Sequence, residues 1–194
     1  MNYQLFSPFF TKVIMLLIAL LCIVLASFGI SAPFFYIVFI GIVFPVAISM
    51  RIHRLNETGT ALTLTENSHW IVYIHGFPAE EQREVLKNPC FWSTERVKQF
   101  FVRGLVGKVI LQLASLALLV NEYFRSTPGS GQDLLAAGVL FFILFSISKN
   151  FWTMYLLATD KWQCESLTTT SGSLWYQGFL CKGNRRITLF SRLV

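Results

Sequence analysis

Four long stretches of this chain are dominated by apolar residues, in two pairs separated by the more polar residues 51–104. The stretches cover residues 13–30, 33–50, 105–124 and 134–159. Each approaches or exceeds the roughly 17–25 residues that a helix rising about 1.5 Å per residue needs to cross a hydrocarbon core ~30 Å thick. The first two are joined only by Gly29-Ile30-Ser31-Ala32-Pro33, too short a link for anything but antiparallel neighbours. Pro33 suits the first turn of the second helix, where a missing N–H costs nothing. Residues 125–133, which include Pro128, Gly129, Ser130 and Gly131, make an exposed turn between the other two. The expected fold is therefore a mainly α membrane protein with four transmembrane helices arranged as two antiparallel hairpins. Pro45, inside the second apolar stretch, is expected to kink it.

The polar segments carry a different periodicity. Residues 60–75 are rich in Thr, Val, Ile, Trp and Tyr, and Trp70, Val72 and Ile74 alternate with His69, Tyr73 and His75. That parity reads as a strand with one packed face. Pro78-Ala79-Glu80-Glu81, with Lys87 later, reads as a short helix whose acids and base match the macrodipole, stopped by Pro89. Ser93 is the expected N-cap of a second amphipathic helix, with Val97, Phe100, Phe101 and Leu105 on one side, lying along the membrane surface before the third span. Residues 174–180 and 186–190 flank Lys182-Gly183-Asn184, a hairpin turn. A two-stranded ribbon is marginal alone, so it is expected to pair with the 60–75 strand. The central loop and the C-terminal tail would then build one small α/β cap.

Four segments follow: an N-terminal transmembrane hairpin (1–50), a loop with strands and short amphipathic helices (51–104), a second transmembrane hairpin (105–159) and a β-rich tail (160–194). Residues 62–70 and 167–175 match at five of nine positions, a faint repeat ending in Trp70 and Trp175. These two tryptophans are expected at equivalent positions of the cap.

Charge orients this arrangement. Of the sixteen basic residues, only Arg125 falls on the side of the membrane opposite the others. Basic loops stay cytoplasmic, which places both termini inside and the chain in the inner (cytoplasmic) membrane. The net charge of +6 is accounted for by orientation and by the anionic inner leaflet, so no nucleic-acid partner is expected. Lys12 and the small residues near Ala32 resemble a secretory leader, but Pro33 after the best cleavage point and the second apolar stretch favour an uncleaved hairpin.

Candidate chemistry is sparse. Cys22, Cys90, Cys164 and Cys181 form no C-x-x-C pair, and unpaired thiols are expected. Along a strand, His69 and His75 would lie roughly 20 Å apart, too far to share a metal. Tyr73-Ile74-His75-Gly76-Phe77-Pro78 resembles the strand-end His-Gly segment of α/β-hydrolases, but no G-x-S-x-G follows. No P-loop, H-E-x-x-H or G-x-G-x-x-G motif occurs, and no cofactor is expected. Polar residues within or beside the apolar stretches, Lys108, Gln112, Glu122 and Lys149, are the candidate intramembrane groups, with interfacial anchoring of all of them preferred over an ion or proton pathway. The candidate interaction surface comprises Phe100, Phe101 and Arg103 with Trp70 and Trp175. These features favour a non-catalytic interaction protein, of the accessory, assembly, exclusion or immunity kind, whose partners are membrane lipids and another membrane protein or a second copy. The alternative is a transporter or channel subunit using the intramembrane lysines and glutamate.

Overall fold

The computed structural model describes residues 29–63, 65–74, 77–86, 88–125, 130–168, 172–182 and 185–193, with 16–18, 20 and 22–26 of the first apolar stretch. The protein is mostly helical, with three long apolar helices and a small sheet. The helices are α1 (Ala32–Glu57), α2 (Thr94–Arg125) and α3 (Ser130–Ala158). Each is long and apolar enough to cross a membrane, which makes this a membrane protein. The described part of the first apolar stretch belongs to a shorter helix, Leu16–Ala26. The rest of the span expected at 13–30 lies outside the described residues.

Pro45 acts on α1 through the turns before it. Residues Ile37–Val43 form a π-helix, and the Phe44 N–H donates to the Phe39 carbonyl five residues back. A proline lacks the N–H for a normal helical bond and crowds the carbonyl four residues earlier, here that of Gly41. A widened turn moves that carbonyl out of the way while α1 continues.

Ser93 starts α2 as expected: its Oγ accepts from the Arg96 N–H at 3.3 Å, and its carbonyl from Val97. The helix then runs for 32 residues without interruption. The separate surface helix expected at 93–104 is thus the first part of the long one. Its apolar side is buried in protein, not in headgroups, with Val97, Phe100, Phe101 and Leu105 all inaccessible.

Seven strands accompany the helices. β1 (Ala61–Leu62), β2 (Thr65–Ile74), β3 (Phe77–Leu86) and β4 (Cys90–Phe91) precede α2. β5 (Gln163–Thr168), β6 (Leu174–Lys182) and β7 (Arg185–Thr188) follow α3, and a short helix α4 (Leu189–Leu193) comes after them. The five-stranded sheet has the order β1-β4-β6-β5, with β7 also on β6. The tail ribbon is present as β6 and β7, with Leu180 opposite Ile187, but it ends at Thr188 because Leu189 and Phe190 enter α4. Central loop and tail do share this sheet. Their junction, however, is Phe91 opposite Tyr176, not the 60–75 strand.

Most of that strand lies elsewhere. β2 pairs with β3 alone in a two-stranded sheet, from Thr65 opposite Leu86 to Ile74 opposite Phe77. The short helix expected from Pro78 is therefore a strand. Cross-strand pairing with the β-prone sequence of β2 outweighs the local helix signals of Pro-Ala-Glu-Glu. Pro78 is tolerated because every strand of a two-stranded sheet is an edge. The repeat fails for the same reason: Trp70 stands in the β2–β3 sheet and Trp175 in the five-stranded one. The 167–175 copy spans the β5–β6 connection, whereas the 62–70 copy passes from one sheet to the other.

The chain divides into two compact units. The first holds residues 1–45 and 107–151. It contains a small apolar core of Ile30, Ala32, Leu119, Ile143 and Ile147, flanked by Tyr36, Leu116, Leu118 and Val139. The second holds residues 46–106 and 152–194 and contains both sheets. Two glycines set its packing. A Cβ on Gly104 of α2 would lie 2.7 Å from Leu193, and one on Gly178 of β6 would lie 2.4 Å from Leu189 and 3.0 Å from Val97. α4 is seated by these two niches, and both its leucines are fully buried.

Candidate functional site

Within the first unit, polar side chains meet among three helices. Gln112 of α2 is fully buried, at 0% exposure. Its Nε2 donates to Ser146 Oγ at 2.8 Å and to Tyr36 Oη at 3.2 Å, while its Oε1 accepts from Asn150 Nδ2 at 2.8 Å. Tyr36 in turn donates to Ser146 at 2.7 Å. One turn further along α2, Ser115 donates back to the Gln112 carbonyl at 2.8 Å. Every polar atom of the Gln112 side chain is used, and no member of the cluster is charged. In a low-dielectric bundle such a network joins helices.

Glu122 has an equally specific task. Its Oε2 accepts from the backbone N–H groups of Ser31 and Ala32 at 2.9 and 3.1 Å, and its Oε1 accepts from the Ser31 hydroxyl. These N–H groups lie at the start of α1, where no intrahelical acceptor exists. The carboxylate therefore supplies, from another helix, the cap that the Ser31 side chain does not give to its own helix. It also offers a negative charge to the positive end of the macrodipole. The lysines lie against aromatic faces. Lys108 Nζ is 5.8 Å from the Phe44 ring centroid, and Lys149 Nζ is 5.9 Å from that of Phe145, within cation–π range.

The second unit holds the residues expected to form an interaction surface. Phe101 is 0% and Phe100 5% exposed, and both ring systems pack on Phe91, at centroid distances of 6.5 and 5.0 Å. They form the joint between α2 and β4, so the apolar side of this helix is core. Trp175 is half-buried on β6, its indole N–H donating to Ser173 at 3.0 Å. The side chain of Trp70 lies outside the described residues. Arg103 alone of the Phe100, Phe101 and Arg103 trio is exposed.

Arg103 opens onto a cleft. A space of about 50 Å³ is lined by Arg51, Leu55 and Thr60, by Phe91, and by Arg96, Gln99, Phe100 and Arg103. Arg96, Phe100 and Arg103 fall on one face of α2 at spacings of four and three. Arg51 and Leu55 do the same on α1. All three arginines are exposed, and among the described residues none forms an ion pair with a carboxylate. The Arg51 guanidinium sits 5.8 Å from the Phe100 ring centroid, and that of Arg96 sits 5.8 Å from Trp92. Arg51 and Arg96 were not singled out by sequence reasoning. The signals that could have found them are the position of Arg51 directly after an apolar stretch and the seven-residue interval between Arg96 and Arg103.

Behind the sheet, Gln177 Nε2 donates to Cys90 Sγ at 2.9 Å and to the Asn88 carbonyl at 3.3 Å, while Asn88 Nδ2 donates to the Gly178 carbonyl at 2.8 Å. These bonds fix the residues before β4 onto β6. Burial raises the Cys90 thiol above its usual range, and the Gln177 hydrogen bond offsets part of that. Asn88 Oδ1 is buried without a hydrogen-bond partner. Cys164 and Cys181 are exposed, and among the described residues no three His, Cys, Asp or Glu side chains gather as a metal site would need.

Fold and site thus define a helical membrane protein whose apolar helices are joined by a neutral hydrogen-bond cluster and whose second unit carries an arginine-lined cleft. No known protein family, characterised protein or solved structure matches the chain.

Proposed function

We propose that this chain is a non-catalytic interaction protein of the inner (cytoplasmic) membrane, of the accessory, assembly, exclusion or immunity kind. It crosses the bilayer four times as two hairpins, keeps both termini in the cytoplasm, and binds another membrane protein or a second copy of itself. The observation that carries this reading is β5. All six of its residues are exposed, and among the described residues β6 is its only partner strand. An edge strand with a free row of N–H and C=O groups is a template for strand addition.

The topology has its own support. The pairing of Phe91 with Tyr176 supports an even number of crossings between the segment before α2 and the segment after α3. The basic-residue asymmetry supports a cytoplasmic placement of both segments.

The test uses the exposed thiol of Cys164 on β5. In a Cys181→Ser background, a photoreactive thiol reagent on Cys164 should crosslink a discrete second polypeptide in native membranes. Reporters active only outside the cytoplasm should be silent at both termini and active at position 129. No adduct in native membranes, together with ion or solute flux in vesicles holding this chain alone, would replace the reading with transport.

A further inference from the structure

The arginine cleft of the second unit has no place in strand addition on β5, and its chemistry points to a ligand of its own. From Arg51, Arg96 and Arg103, with Gln99 and Thr60 beside them, we infer that the cleft holds the phosphate of an anionic phospholipid headgroup from the cytoplasmic leaflet.

Charge comes first. Three arginines line one small space, no described lining residue is acidic, and all three arginines are exposed. Like charges gathered at one cleft repel one another, and an anion among them relieves that repulsion. Guanidinium forks suit a phosphate because two parallel N–H bonds match two of its oxygens. Gln99 adds a neutral hydrogen-bonding side chain at the same wall, while the Thr60 hydroxyl donates to the Leu55 carbonyl at 3.0 Å.

Size comes second. A space of about 50 Å³ accommodates a few water-sized groups, the scale of one phosphate. A nucleotide or an oligosaccharide needs a pocket several times larger.

Depth decides between a lipid and a soluble phosphate. Arg51 directly follows the apolar residues 33–50 of α1, and Arg103 lies two positions before the apolar residues 105–124 of α2. Both helices therefore change from apolar to charged at the cleft, which is where headgroups lie. Trp92, exposed and beside Arg96, is the residue type enriched at that level. Leu55, Phe91 and Phe100 give the cleft an apolar side suited to the glycerol end of a lipid. Basic pockets between membrane helices on the cytoplasmic side bind such headgroups. The inference rests on the membrane placement of α1 and α2 and not on β5, so either proposal can fail without the other.

The test is lipid retention by the full chain in nanodiscs of phosphatidylcholine with and without phosphatidylglycerol, read by native mass spectrometry after delipidation. The wild type should retain phosphatidylglycerol over phosphatidylcholine. Each of Arg51→Gln, Arg96→Gln and Arg103→Gln should weaken retention about fivefold, the scale of one basic residue beside an anionic leaflet, and the triple variant about 100-fold. A control with the same charge loss, Lys161→Gln with Arg186→Gln and Arg192→Gln, should retain lipid as the wild type does. If the triple variant does not fold, the three single variants decide. Equal retention of both lipids, or single variants indistinguishable from the wild type, would overturn the inference. So would displacement of phosphatidylglycerol by equimolar inorganic phosphate, which would assign the cleft to a soluble anion, or by a short acidic peptide, which would assign it to a protein.

Discussion

Replacing Glu122 separates a structural carboxylate from a conducting one. In Glu122→Ala, the N–H groups of Ser31 and Ala32 and the Ser31 hydroxyl all lose their acceptor. Hydrogen bonds to a charged group contribute about 1.5–3 kcal/mol each. Glu122 is half-buried, however, so water can replace part of what is lost, and the three bonds share one acceptor group. A total near 3 kcal/mol follows. Glu122→Gln keeps an acceptor oxygen and loses mainly the charge at the start of α1, worth about 1 kcal/mol. Ser31→Ala should cost about 1 kcal/mol, and much less when Glu122 is already Ala, because both changes remove the same bond. The assay is reversible unfolding in mixed detergent micelles, followed by helical circular dichroism, for the three single variants and the double. Glu122→Ala within 0.5 kcal/mol of the wild type on the usual error of such cycles, or Glu122→Gln as costly as Glu122→Ala, would refute the capping role. A proton relay predicts the opposite pattern, with Glu122→Gln stable but unable to carry flux.

Three further outcomes are expected. Gln112→Leu removes three interhelical hydrogen bonds; at about 0.6 kcal/mol each in a membrane bundle, it should cost roughly 2 kcal/mol in the same unfolding assay. Phe101→Ala should cost about 3–5 kcal/mol, as fully buried aromatic truncations do, and should release the second unit to proteolysis, whereas an interface role would spare stability. The Lys98 ammonium, 2.7 Å from Asp160, holds the Asp160 carboxyl below its usual value through a hydrogen bond and charge attraction. A depressed carboxylate stabilises the fold above its unfolded pKa and loses that contribution as pH falls through the folded one. Lys98→Met should therefore return the Asp160 titration to the ordinary range by NMR and remove that part of the acid dependence.

The long apolar elements were legible because a bilayer demands one thing of them, about twenty consecutive apolar residues, and α1, α2 and α3 contain just that signal. The strand partners were not legible. β4 has two residues, Cys90 and Phe91, with no periodicity to read, yet it joins the loop to the tail. β3 carries helix-favouring Ala, Glu, Gln and Arg and becomes a strand only because β2 pairs with it along ten residues. Phe100 and Phe101 were visible as an apolar face, but one sequence cannot say whether such a face meets lipid, a partner or its own sheet. Glu122 and Gln112 stood out in the sequence as polar groups in an apolar setting. Their partners Ser31, Tyr36, Ser146 and Asn150 lie far along the chain and were invisible until the helices were placed.

The pairing of Phe91 with Tyr176 has a consequence for biogenesis. A ribosome delivers β1 and β4 long before β6 exists, and in the proposed topology both α2 and α3 enter the lipid in between. Until the second of them has crossed and returned the chain, β1 is the one strand available to β4 among those described, and the aromatic joint of Phe91, Phe100 and Phe101 lacks β6 behind it. A nascent chain that inserts α3 wrongly would leave Tyr176 on the far side of the bilayer, where no rearrangement of the soluble parts could recover the pairing. In that topology, closure of the sheet would depend on the insertion of both helices.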